Sequence, residues 1–218
     1  MRRAQSKVML RAKQTAALGI LLIVWGPVWG IAQTSERMIL EDFRQTGDNG
    51  LPVGWKAQRS ESRAKEAYSL SSDGEMTYLS AKGADQRVYK KIAWDPKASP
   101  IVTWRWRLKA VPAGAEPLAA VFVSLDTDLM FIPVVTKYVW SSTKPVGALT
   151  EGGVFDASEI VLRSGPLPMG EWVEERVNAY EDFKRIHQRE PAEKAWGISL
   201  LGGPGVEVDF GSIAVLTP

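Results

Sequence analysis

Short runs of apolar or alternating residues, separated by turn-forming Gly, Pro, Asn and Asp, fill the chain from residue 38 to its end. Each run has the length of a β-strand, and successive runs are spaced by roughly 8–15 residues, as in β-sandwiches and barrels. Strands and helices do not alternate as they do in parallel α/β proteins. The strands are expected at 38–43, 55–58, 68–71, 77–81, 87–94, 101–108, 119–125, 137–141, 159–163, 172–177, 195–200 and 206–216. This pattern predicts an all-β fold.

One helix is expected in this all-β chain. Residues 180–188 begin with acidic residues and end with basic residues before Pro191. This charge order favours a helix, because it complements the helix dipole at both ends. The fold prediction therefore includes one short helix near the C-terminus.

The segment Ile101-Val-Thr-Trp-Arg-Trp-Arg-Leu108 has the clearest strand pattern. Side chains of a strand point alternately to its two faces. Its even positions are apolar and include two tryptophans, which is typical of a sandwich core. Thr103, Arg105 and Arg107 share the other face. The two arginines must be solvated, paired with carboxylates, or lining a polar cleft.

The first 32 residues have the features of a secretory signal peptide. A basic start is followed by an apolar stretch at 15–25, and small residues precede a cleavage site before Gln33. We therefore predict a signal peptide at 1–32, a single domain at 33–218 and a periplasmic or secreted protein. A retained membrane anchor is the alternative, because the apolar stretch is close to the minimum length of a membrane span. After cleavage no stable membrane span is expected.

The charge balance and the missing cysteines follow from this interpretation. Five of the 27 basic residues and none of the 25 acidic residues lie in residues 1–32, so the remaining chain has a net charge of −3. This mildly acidic chain gives no reason to expect a nucleic-acid partner. With no Cys, disulfides, a lipid-modified cysteine and thiolate catalysis are excluded.

Few catalytic sites are compatible with the composition. His187 is the only histidine and lies in the predicted helix, which argues against a Ser-His-Asp triad and against a multi-histidine metal site. Carboxylates remain available for acid–base chemistry. Asp42 ends the first strand, and Asp209 lies in the last predicted strand. Since the first and last strands of jelly rolls commonly lie close together, these two side chains are candidate ligands of a structural calcium ion. No other cofactor is expected.

Aromatic residues suggest a second kind of site. Seven of the nine tryptophans lie outside residues 1–32. Sugar rings stack on exposed Trp and Tyr side chains, so such residues in a sandwich indicate carbohydrate binding. Most tryptophans will be in the core, but Trp140, with Tyr138 on the same strand face, is the best candidate for exposure.

Several segments together resemble one family of exported bacterial proteins, the domain of unknown function 3047. They are Glu41-Asp-Phe43, Gly50-Leu-Pro-Val-Gly-Trp55, Thr103-Trp-Arg-Trp-Arg107, Tyr138-Val-Trp-Ser-Ser142, Val161-Leu-Arg-Ser-Gly165 and Gly170-Glu-Trp-Val-Glu-Glu-Arg176. The resemblance implies an antiparallel jelly-roll β-sandwich of the galactose-binding type. It implies no particular activity, because such folds carry binding, structural and catalytic functions.

These observations favour a non-catalytic protein that binds a saccharide or another anionic envelope ligand on one sheet face. In this hypothesis Arg105, Arg107, Lys137 and Arg163 bind anionic groups, while Tyr138 and Trp140 stack on sugar rings. One alternative is a polysaccharide lyase or hydrolase that uses carboxylates or Tyr. The other is a structural envelope protein whose arginines pair with Glu174 and Glu175. The ligand and the oligomeric state are not determined by the sequence.

Overall fold

The computed structural model describes residues 36–84, 86–128, 132–153 and 156–218. The predicted signal peptide lies outside these residues, so its cleavage and the domain boundary at residue 33 stay predictions. The strands are β1 (Arg37–Glu41), β2 (Trp55–Ala57), β3 (Tyr68–Asp73), β4 (Met76–Lys82), β5 (Val88–Lys91), β6 (Ile101–Ala110), β7 (Ala119–Thr127), β8 (Pro133–Ser141), β9 (Leu149–Thr150), β10 (Ser158–Ser164), β11 (Val173–Asn178), β12 (Gly197–Gly202), β13 (Glu207–Phe210) and β14 (Ile213–Leu216). The helices are α1 (Glu61–Ala67) and α2 (Ala179–His187).

The strands form two sheets of seven. Sheet I has the order β1-β14-β6-β13-β4-β3, with β11 paired to β6 as well. Sheet II has the order β2-β5-β12-β7-β8-β10-β9. All described strand pairs are antiparallel except β8 and β10, which are parallel. The curled, largely antiparallel sheets confirm the prediction of an all-β, jelly-roll-like sandwich.

The inner faces of both sheets build one core. In β6, Trp104 and Trp106 are buried, and their rings meet edge to face at a centroid distance of 5.6 Å. From sheet II, Tyr138 packs on Trp104 and Trp140 packs on Trp106, at 5.7 and 5.5 Å. Each of these large side chains removes apolar area from water, which is the main favourable contribution to folding. The even positions of β6 are therefore core positions, as predicted.

Helix α2 starts one residue before the predicted position and covers one end of the core. The Asn178 side chain caps it by accepting a hydrogen bond from the Glu181 N–H at 3.0 Å. Phe183 is buried, and Asp182 accepts a hydrogen bond from the Tyr138 hydroxyl at 3.0 Å. Helix α1 was not predicted. Only Ala64 of its seven residues is buried, so its sequence has no apolar period from which to infer a helix.

The last predicted strand, 206–216, is two strands rather than one. Strand β13 pairs with β6 through Trp106 and Arg107, whereas β14 pairs with β6 nearer its start and with β1 on its other edge. The Gly211 N–H between them donates to the Arg105 carbonyl at 2.8 Å. A Cβ at residue 211 would lie 3.2 Å from Cβ of Arg105, so glycine suits this close approach. The first and last strands are adjacent as expected, but Asp209 belongs to β13.

Within the described part of the chain, neither helix has the length and hydropathy that crossing a bilayer requires.

Candidate functional site

The two arginines of the outer face of β6 are both paired with carboxylates. Arg105 donates to Glu174 Oε2 of the neighbouring β11, from Nε at 2.9 Å and from Nη2 at 2.8 Å. The pair is about half exposed, so it is screened by solvent. This is the closed pairing that the structural alternative predicts for Arg105 and Glu174.

Arg107 is buried between a carboxylate and two aromatic rings. Its Nε and Nη2 donate to Asp209 Oδ2 at 2.9 and 2.7 Å, and the residue is only 8% exposed. The guanidinium lies 4.5 Å from the ring centre of Trp172 and 5.2 Å from that of Tyr78. Burial acts to lower the pKa of Arg107, but the hydrogen bonds and charge of Asp209 raise it overall. Arg107 therefore has its counter-ion inside the protein.

Tyr138 and Trp140 are both 0% exposed, so the prediction that their rings are exposed is wrong. The Trp140 indole N–H donates to the Gly165 carbonyl at 2.6 Å. Burial, together with the charge of Asp182, raises the pKa of Tyr138 well above its ordinary value. Their strand face points into the core, because β8 packs against the tryptophans of β6. As placed here, neither ring has a free face on which a sugar could stack.

The other two predicted binding cations also have acidic partners. Lys137 Nζ lies 2.8 Å from Glu159 Oε2, and Lys144 Nζ lies 2.6 Å from Glu159 Oε1. Arg163 pairs with Glu175, which also accepts a hydrogen bond from the indole N–H of Trp106. The four cations predicted from the sequence therefore lie in four separate ion pairs and not around one ligand.

Glu159→Gln is expected to lower the stability at neutral pH by roughly 1 kcal/mol, with the effect fading in acid. Burial alone would raise the pKa of Glu159, but hydrogen bonds from Lys137 and Lys144 lower it below the ordinary value of 4.5. A carboxyl with a lowered folded-state pKa stabilises above its unfolded pKa, and the contribution is lost as pH falls through the folded-state pKa.

Urea unfolding of wild type and variant at neutral pH and at successively lower pH measures this difference. The exposed Glu66→Gln on α1 is the control and should show little difference at any pH. A Glu159→Gln deficit that is the same in acid as at neutral pH would contradict the assigned ion pairs.

The two candidate calcium ligands have different partners. Asp42 is exposed and pairs with Arg44 at 3.4 Å. Asp209 is bound to Arg107 and also accepts a hydrogen bond from the Ser80 hydroxyl at 2.6 Å. Among the described residues, no group of three or more His, Cys, Asp or Glu side chains is arranged to hold a metal ion. The calcium site stays a prediction that these contacts do not support.

A cleft of about 720 Å³ lies beside the start of α2. Two segments line it, 93–97 between β5 and β6 and 190–194 before β12, and Tyr180 of α2 completes it. The two segments are held together where the Ala195 N–H donates to the Trp94 carbonyl at 2.9 Å. Its buried lining residues are Trp94, Pro96 and Tyr180, and its exposed charged ones are Asp95, Lys97, Glu190, Glu193 and Lys194. The cleft thus combines apolar contact area with polar groups that can orient a ligand.

Hydrogen bonds order one wall of the cleft. The Tyr180 hydroxyl donates a hydrogen bond to Glu190. Lys184 Nζ also forms an ion pair with Glu190, at 3.2 Å from Oε1. The Tyr180 hydrogen bond, followed by those of Lys184, lowers the pKa of Glu190. On the other wall, Asp95 accepts from the backbone N–H of Lys97 at 2.8 Å and closes a tight turn. The cleft is therefore shaped by contacts that exist without a ligand.

A partly buried aromatic pair adjoins the cleft on the outer face of sheet II. The rings of Tyr89 and Trp196 stack at 5.9 Å with an interplanar angle of 28°. Lys91 Nζ lies 5.0 Å from the ring centre of Trp196. Residues 91 and 196 lead directly into the two segments that line the cleft. The sequence analysis did not select this pair. Tyr89 lies between Arg87 and Lys91 at alternate positions of a strand, so these three side chains share one face, and the two cations indicate that it faces outward.

The comparison with family models concerns the part of the chain that runs from β8 to β12. Residues 132–201 match the family model for a protein of unknown function, DUF3047. The resemblance inferred from the sequence is confirmed over this segment. The matched residues include Lys137, Tyr138, Trp140 and Arg163, and also the wall of the cleft at 190–194. No curated protein matches the chain in sequence.

Several solved structures are similar to this chain at low sequence identity. Endoglucanase 3 of Trichoderma harzianum, from glycoside hydrolase family 12, is 9% identical with a TM-score of 0.47 and covers 85% of this chain and 99% of its own. The K3 cleaved adhesin domain of Lys-gingipain from Porphyromonas gingivalis w83 is 13% identical, with a TM-score of 0.43 and coverages of 84% and 100%. The mannan-recognising carbohydrate-binding module TmCBM27 is 8% identical, with a TM-score of 0.40 and coverages of 84% and 99%.

Proposed function

We propose that this chain is an exported, non-catalytic binding protein of the cell envelope, and that its cleft at 93–97 and 190–194 holds a saccharide. The observation that carries the proposal is the cleft of about 720 Å³, whose buried lining is aromatic and proline and whose exposed lining is charged. Sugar rings have apolar faces and a rim of hydroxyl groups, so they need both kinds of lining.

The aromatic pair supports a ligand longer than one sugar ring. Tyr89 and Trp196 form a stacked, partly exposed pair beside the cleft, next to the ends of its two lining segments. Lys97 and Lys194 are exposed, and in the described part of the chain no carboxylate is paired with either. These two ammonium groups can donate to sugar hydroxyls or to the carboxylates of uronate residues.

Binding is favoured over catalysis by the state of the carboxylates. A glycoside hydrolase needs one carboxylic acid whose pKa is raised so that it stays protonated. In the cleft, Glu190 has a lowered pKa because Tyr180 donates a hydrogen bond to it. Glu190 therefore has the opposite property from a general acid.

The test is a titration of the purified protein with neutral and uronate-containing oligosaccharides, followed by isothermal calorimetry. At least one class should bind. The double variant Lys97→Ala/Lys194→Ala should weaken that binding by roughly tenfold, because two charge-assisted hydrogen bonds are lost. The matched control Lys65→Ala/Lys109→Ala removes two exposed lysines outside the cleft lining and should leave the affinity unchanged.

Two results would overturn the proposal. Binding that is unchanged in the cleft variant would place the ligand elsewhere on the protein. The second result is no binding of any oligosaccharide by wild type, which would favour the structural alternative. That alternative draws support from the closed ion pairs of Arg105 with Glu174 and Arg107 with Asp209.

A further inference from the structure

Two cations lie over one phenylalanine on the outer face of sheet II. The guanidinium of Arg87, just before β5, is 4.8 Å from the ring centre of Phe122. Lys137 Nζ is 5.9 Å from the same ring centre. Lys137 is neutralised by Glu159 at 2.8 Å. The two cations therefore differ in whether the protein provides a counter-ion.

Arg87 has no carboxylate partner among the described residues. It is partly buried, and this burial is the main cause of a lowered pKa. Repulsion from the charge of Arg59 lowers the pKa further. Withdrawing a cation from water without a counter-ion costs free energy, and proteins normally pair such groups. Arg107, on the other sheet, is paired in this way with Asp209. Within the described residues the charge of Arg87 has no counter-ion, so it is available to an anionic ligand.

A cavity of about 310 Å³ lies against Arg87. A water molecule takes up about 30 Å³ in the liquid, so this volume holds a phosphate or a sugar carboxylate together with several waters. The charged groups that line it besides Arg87 are Arg189, Asp128 and Asp156. Arg189 is already paired with Asp126. Arg87 is therefore the lining cation that is free to bind an anion.

His187 also lines this cavity. Its Nε2 is buried and has no hydrogen-bond partner within the described residues. Burial, and then Arg189, lowers the pKa of His187, while Asp126 acts in the opposite direction. The lowered pKa favours the neutral form of the ring, and a neutral imidazole has one N–H donor. A buried ring nitrogen without a partner is the arrangement expected where a ligand completes the hydrogen bonding.

We propose that Arg87 and His187 form a binding site for a small oxyanion, a carboxylate or a phosphate. The planar guanidinium matches two oxygens of such a group, and the ring of Phe122 holds its plane. The site is separate from the cleft at 93–97 and 190–194, and it does not depend on saccharide binding there.

Because His187 is the only histidine in the chain, its imidazole signals report this cavity without overlap. The experiment is an NMR titration of the protein with inorganic phosphate and, separately, with glucuronate. We expect a saturable shift of the His187 signals with at least one of them. We also expect the pKa of His187 to rise on binding, because a bound anion favours the imidazolium form. The response to the two probes distinguishes a phosphate site from a carboxylate site.

Arg87→Gln should weaken the binding of that probe by roughly tenfold or more, since a bidentate charge-assisted pair is lost. Arg105→Gln, which removes an arginine paired with Glu174, is the matched control and should leave the titration unchanged. The melting temperature of Arg87→Gln without the probe should equal or exceed that of wild type, because an unpaired, partly buried charge is removed. The proposal would be overturned if neither probe shifted the His187 signals. It would also be overturned if the shift were equal in wild type and Arg87→Gln.

Discussion

Asp209→Ala is expected to destabilise the protein by about 3 kcal/mol, the lower end of the cost of removing one partner of a buried ion pair. The lower end applies because the more exposed Asp73 stays 3.6 Å from Arg107 Nη1. Arg107 would keep its place between Trp172 and Tyr78, with its guanidinium shielded from water. Ser80 would lose the acceptor of its hydroxyl at the same time. Urea unfolding measures the loss as a lower midpoint with an unchanged slope.

Glu174→Ala is the matched control for this experiment. It removes the partner of Arg105, two residues earlier on the same face of β6, but that pair is about half exposed. The expected loss is at most about 1 kcal/mol, because solvent replaces the carboxylate. Equal effects of Asp209→Ala and Glu174→Ala would mean that Arg107 is solvated, and it would then become available to an anionic ligand again.

Trp140→Ala is expected to destabilise the protein by about 3–5 kcal/mol, as for other large-to-small changes in a core. The indole fills the space beside Trp106 and its N–H is bound to the Gly165 carbonyl, so truncation leaves both a cavity and an unpaired acceptor. Thermal or urea unfolding measures this change.

Trp196→Ala is the contrasting variant, because this tryptophan is only partly buried and stacks against Tyr89 on the outer face of sheet II. Its expected destabilisation is about 1 kcal/mol, the value of one aromatic pair. Under the proposed function it should instead weaken oligosaccharide binding. A Trp140→Ala protein that keeps wild-type stability would contradict the burial of Trp140 and restore it as a stacking residue.

The strands were predictable because side-chain alternation is a local property. In β6, the even positions had to be buried if the chain formed a sandwich, and Trp104 and Trp106 are in the core. Helix α2 was predictable for a similar local reason, the order of its charges. Helix α1 was not, since its single buried alanine leaves no pattern.

The break between β13 and β14 was not predictable from local pattern either. Residues 206–216 read as one strand, but the main chain is redirected at Gly211. Arg105 of β6 and Trp172, which precedes β11, approach this glycine. This break decides that Asp209 lies opposite Arg107 on β6, whereas β14 lies beside β1. The calcium prediction assumed the unbroken strand.

The sequence by itself determined the all-β class, the inward face of β6, helix α2 and the kinds of chemistry that one histidine and no cysteine exclude. Only the tertiary structure decided which cations are free. Arg107 and Asp209 are 102 residues apart, so their pairing depends on strand register and not on any local pattern. The two segments of the cleft are likewise brought together by the pairing of β5 with β12 and by the hydrogen bond from Ala195 to Trp94. Local alternation assigns a side chain to a face, but the charges and rings that meet on that face come from distant strands.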